Sequence, residues 1–141
     1  MRRRFALTAI LFAAAASIGY AADEISVANA PPVVVQTDPR AGTTDVDPAL
    51  REIRVTFSKP MQQGGWSWLQ ISPASFPNLA GQPSFQADQR TAVLPVALEP
   101  GKTYLILLND PPSENFRDQG GRKALRYVLA FSTAAGRAVP R

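Results

Sequence analysis

Between Arg51 and Ser58 apolar and polar positions alternate: Ile53, Val55 and Phe57 fall on one side, Arg54 and Thr56 on the other. A period of two is the mark of a strand with one buried face. The same reading predicts strands over Val33–Val35, Trp66–Ile71, Ser84–Gln86, Thr91–Leu98 and Thr103–Asn109, and a last one over Arg126–Thr133, where Tyr127, Leu129 and Phe131 alternate. Thr103–Asn109 is apolar almost throughout, which suits the middle of a sheet. Pro95 lacks an amide donor, so its strand is expected to lie at an edge or to carry a bulge there. Pro73, Pro77, Gly81 and Pro83 exclude a long helix between the third and fourth predicted strands. Short strands with turn signals between them and no amphipathic helix predict an all-β fold, an antiparallel β-sandwich of about seven strands.

The amino terminus reads differently. Three arginines, Arg2 to Arg4, precede an apolar run from Ala6 to Ile18 and a small-residue site ending at Ala21, the three-part layout of a secretory signal peptide over residues 1–21. The run is shorter than the roughly 20 residues of a comfortable membrane span; a retained anchor is the alternative. A flexible tether over residues 22–30, a domain over 31–134 and a tail over 135–141 complete the expected layout. An exported protein is therefore expected: periplasmic, at the cell surface or extracellular, with no integral membrane segment after processing.

Export changes the charge. The chain has 15 basic and 11 acidic side chains; loss of Arg2, Arg3 and Arg4 leaves a net charge of +1. Nucleic acid is not an expected partner, because the densest basic cluster, Arg122-Lys123 with Arg126, reads as a solvated turn rather than a basic face with interleaved aromatics. There is no cysteine, so no disulfide supports the fold.

Five pieces, VVVQTDPRAGTTDVDP, IRVTFSKPM, LEPGKTYLILL, FRDQGGRKAL and YVLAFST, occur in an order that resembles the bacterial Ig-like domains of S-layer and other secreted multidomain proteins. They cover roughly Pro31 to Thr133. The resemblance implies an Ig-like β-sandwich serving as a spacer, adhesive module or stalk. The stretch 110–116, DPPSENF, departs from the pattern and looks longer than the usual connection.

Chemistry is scarce. Without histidine or cysteine there is no Ser-His or Cys-His nucleophile, and an enzyme is not expected. Asp45 and Asp47 lie in one turn-rich loop and Asp110, Glu114 and Asp118 in another, where carboxylates ordinarily hydrogen-bond turns; weak calcium binding is the alternative. Periplasmic copper-resistance proteins share a similar opening, but their histidine ligands are missing here and Met61 is the one methionine beyond Met1. No cofactor is expected.

Trp66 and Trp68 remain as the candidate ligand-binding residues. In one regular strand they share a face with Gln70, opposite Ser67, Leu69 and Ile71. The aliphatic pair is the more natural core face, which would turn both indoles outward as a patch for a sugar or a protein. Burial of at least one ring is the competing reading, and a bulge at Gly64-Gly65 would bury one and leave the other at the rim. The expected function is a non-catalytic module binding a protein or an envelope polysaccharide, with a small carbohydrate-binding module using Trp66 and Trp68 as the alternative.

Overall fold

The alternating stretches become strands in the computed structural model, which describes residues 25–136; the expected signal peptide lies outside them. In chain order the strands are β1 (Val34–Asp38), β2 (Glu52–Phe57), β3 (Trp68–Gln70), β4 (Asn78–Leu79), β5 (Ser84–Phe85), β6 (Thr91–Ala97), β7 (Thr103–Leu108) and β8 (Tyr127–Ser132). One sheet runs β1-β2-β6 and then meets β4 and β5, which pair with successive parts of the far side of β6; the other runs β3-β7-β8. Every strand pair is antiparallel, and the two sheets make an Ig-like β-sandwich.

Ile53, Val55 and Phe57 of β2 are fully buried, as their alternation predicts. They pack with Leu94 and Val96 of β6, Tyr104, Ile106 and Leu108 of β7, and Leu129 and Phe131 of β8. Burying side chains of this size is worth roughly 1.5–3 kcal/mol each, so this inter-sheet layer is the main stabilising element. β7 lies between β3 and β8, the central place its apolar sequence predicts. The Tyr104 ring stacks 5.4 Å from Phe131, and its hydroxyl accepts the Glu99 N–H at 2.8 Å, pinning the turn that opens β7.

Pro95 departs from expectation. Its strand, β6, is flanked on both sides rather than at an edge. On the β5 side Ser84 and Phe85 pair with Val93 and Ala92, while Asn78 and Leu79 pair with Ala97 and Val96. Pro95 therefore sits where one partner ends and the other begins. Its carbonyl accepts from Ala80 N–H on that side, and by the two-residue period its nitrogen faces the same way. The donor that proline lacks therefore falls at the junction of β4 and β5 rather than in the middle of either ladder. Gly81 lies against the ring, close enough that an added Cβ would stand 3.3 Å from Pro95 Cβ.

Two further contacts tie chain ends to the sandwich. Lys59 Nζ donates to the Ala28 and Ala30 carbonyls at 2.9 and 2.7 Å and reaches Asp118 Oδ2 at 2.7 Å, so this ammonium ties the entry segment to the sandwich. Residues 42–46 run alongside β8 in the parallel sense, where Val46 bridges Thr133. Four backbone bonds join them: Gly42 N–H to Ala130 O, Ser132 N–H to Thr43 O, Val46 N–H to Ser132 O and Ala134 N–H to Val46 O, at 2.7, 2.8, 3.1 and 2.8 Å.

Candidate functional site

Of the two placements open to the indoles, the structure rules out the outward patch and bears out burial against the core. Trp66 and Trp68 are both half-buried and packed against the core, whereas Ile71 of the supposed core face is 50% exposed. The Trp68 ring meets Phe116 edge-on at 5.3 Å. The reason lies in β3 itself, a three-residue edge strand whose inner face must reach across to Phe116 and Phe57. The Trp68 indole makes that contact with Phe116. Ser67, on the opposite parity, is also buried, its hydroxyl accepting the Asn115 N–H at 2.9 Å. The indole N–H of Trp68 is buried and meets no acceptor among the described residues.

Trp66 stands just before β3 at the rim, where it lines a solvent-open cleft of about 450 Å³ with Gln62, Gly64, Gly65, Asn115 and Arg117. Trp68 does not line it. Gly65 is required at its floor, because a Cβ there would stand 2.7 Å from the Asn115 carbonyl oxygen. The side-chain amides of Gln62 and Asn115 make no hydrogen bond among the described residues. Arg117 is steadied by its Nε, which donates to the Glu114 carbonyl at 3.1 Å.

The far wall depends on the 110–116 loop, and that loop depends on Asn109. Asn109 is 1% exposed with φ 54°, in the left-handed region that asparagine tolerates better than most residues. Its Nδ2 donates to the Phe116 and Ala124 carbonyls at 2.9 and 3.0 Å, and its Oδ1 accepts the Phe116 N–H at 3.0 Å. The side chain thus takes the part of a missing strand. It drives Phe116 into the core against Phe57 and Phe85 and sets Asn115 and Arg117 on either side of it at the cleft. Sequence reasoning passed over Asn109; the available signal was a polar residue closing a buried apolar run.

The carboxylates of this region all have partners. Asp110 pairs with Arg126 at 3.1 Å and Glu114 with Lys123 at 2.7 Å, exposed pairs worth about 0–1 kcal/mol each. Asp118 is different, being 1% exposed. Its Oδ1 accepts the Arg122 N–H at 2.8 Å, and its Oδ2 faces Lys59, with Arg122 Nη1 at 3.9 Å. Burial pushes this carboxyl upward, but the Lys59 and Arg122 hydrogen bonds and charges outweigh it and hold the group below the usual carboxylate range. Asp88 is held low as well, by the Thr91 hydroxyl first and then the Arg90 and Thr91 amides it caps. Asp47 accepts the Ala49 N–H in a turn. These are structural roles, and among the described residues no three acidic side chains converge on a metal position.

A family model described as bacterial Ig-like domain matches residues 28–133. Two solved structures are similar, the crystal structure of the S-layer protein rSbsC(31-844) and a structure of surface layer protein SbsC, domains 1-6. Each is 19% identical, with a TM-score of 0.44 over 81% of this chain and 15% of the other. The chain therefore spans a small part of the length of those proteins. No curated protein matches the chain.

Proposed function

Because the chain belongs to the bacterial Ig-like domain family, we propose that it is an exported, non-catalytic module that binds a protein or another component of the cell envelope. The observation that carries this reading is the division of labour among its polar side chains. The buried carboxylate and the loop carboxylates are committed to folding, through Lys59, Arg126 and Lys123. The groups left uncommitted around Trp66 are amides, a guanidinium and an aromatic edge. Such groups bind; with no histidine or cysteine in the chain, they have no ordinary base or nucleophile to act with. Export itself rests on the Arg2–Arg4 and Ala6–Ile18 pattern of the amino terminus.

A second reading, a small carbohydrate-binding module, is favoured by the Trp66 cleft, with Trp68 supporting the wall through Phe116 rather than touching ligand. Both readings predict that the purified domain sediments with isolated cell envelopes. Digesting the envelopes with protease beforehand separates them: loss of binding indicates a protein partner, and retention indicates a polysaccharide. A domain that stays in the supernatant with both preparations would overturn the proposal.

A further inference from the structure

The geometry points to a negatively charged glycan, one bearing sugar carboxylates, as the occupant of the Trp66 cleft. This rests on the binding reading above and gives that site a ligand class. The charge argument comes first. Of the cations around the 110–126 region, Lys123, Arg126, Arg122 and Lys59 each stand within 4 Å of a carboxylate, whereas Arg117 meets none among the described residues. Its Nε is fixed to the Glu114 carbonyl, while the Glu114 carboxylate itself is taken by Lys123. The fork is therefore oriented by a backbone contact and its Nη groups remain for a ligand. A fixed guanidinium matches a carboxylate in two parallel hydrogen bonds.

The rest of the lining specifies a sugar rather than a peptide carboxylate. Gln62 and Asn115 each offer an amide donor and acceptor with no partner among the described residues, the mixed pattern that ring hydroxyls satisfy. Trp66 supplies an aromatic surface for the C–H face of a pyranose. Gly64 adds no side chain where a Cβ would meet nothing within 4 Å, so a ring can approach the backbone there. At about 450 Å³ the cleft falls within the roughly 300–1,000 Å³ of small-ligand sites. Its openness to solvent suits an internal unit of a chain that continues past both ends.

The test uses the full mature protein and three polymers: polygalacturonate, its fully methyl-esterified form and poly-glutamate, followed by calorimetry and tryptophan fluorescence. Binding to polygalacturonate is expected, with at least tenfold weaker binding to the ester, which keeps the sugar and masks the charge, and to poly-glutamate, which keeps the charge and lacks the sugar. Arg117→Gln and the double variant Gln62→Ala with Asn115→Ala should each lose tenfold or more. These side chains lie outside the core, so unchanged urea melts would show that folding is intact. Absence of polygalacturonate binding, equal binding to the ester or to poly-glutamate, or full binding by folded Arg117→Gln would each overturn the assignment. Repeating the envelope sedimentation with Arg117→Gln keeps the two readings apart. If parent and variant sediment alike, the module still binds envelopes but not through this cleft; if neither sediments, the broader reading fails as well.

Discussion

At Asn109 one amide group does the work of three backbone partners, in a left-handed conformation that most residues resist. Asn109→Asp keeps the shape and reverses two of the three contacts, since an oxygen would then face the Phe116 and Ala124 carbonyls. Each buried polar group left unpaired costs about 1–3 kcal/mol, so this variant should lose several kcal/mol in urea melts; an unchanged midpoint would show that the loop is held elsewhere. Phe57, whose ring lies 5.1 Å from Phe116, offers an independent check. Phe57→Ala should cost about 3–5 kcal/mol, measured in the same way. The charge on Asp118 makes stability depend on pH. Its folded-state carboxyl titrates below the unfolded value of about 3.9, so the Lys59 pairing is fully effective above that value and is lost as pH falls through the lower folded value. Asp88 acts in the same direction. Melting temperature against pH should hold from neutrality to about pH 4 and then fall, and Asp118→Asn should start lower at pH 7 and fall less steeply in acid. Parallel curves for parent and variant would exclude the linkage. Phe57 and Phe131 were legible as core residues because alternation reports which face a side chain occupies. Asn109, Lys59 and Trp66 were less so, because their roles depend on what lies opposite, and pattern alone does not report that.

Strands were legible in proportion to how much of their order is their own. β2, β7 and β8 carry six-residue patterns and appear within a residue or two of their expected ends. β4, two residues long, was not anticipated, because Asn78-Leu79 has no pattern to read and extends only where β6 offers an edge. The Pro95 expectation failed for a related reason: an edge was inferred, whereas the chain supplies two short partners and leaves the proline at their junction. Of the two tryptophan readings, the outward patch fails because β3 is shorter than one regular six-residue strand, and the competing reading, burial of at least one ring, holds for Trp68 against Phe116. This hierarchy predicts hydrogen exchange. Amides of β7, flanked on both sides, should open only near the global unfolding free energy, while Leu79 and Phe85 in the two-residue strands should exchange through smaller local openings. Equal protection across these elements would show that β4 and β5 belong to the same cooperative unit as the core.

At the level of the whole molecule, the sandwich stands without disulfides, and its cleft is assembled from two segments far apart in sequence, 62–66 and 115–117. The fold class was legible because it needs only short alternating strands and turns, while the cleft was not, because it requires knowing that Asn109 folds the loop back beside Trp66. The parallel run of 42–46 along β8 has a mechanical consequence. Tension between the amino-terminal and carboxy-terminal sides draws these two segments past each other along their length. Their four hydrogen bonds then carry the load together, in shear, instead of parting in succession. Pulling instead from Thr103 and Ser132, which face each other at the open end of the antiparallel β7–β8 pair, would unzip that pair bond by bond. Single-molecule extension should therefore record a higher unfolding force from the termini than across β7–β8, and equal forces would refute the shear geometry. A module built this way resists being drawn out end to end while remaining easy to peel open from the side.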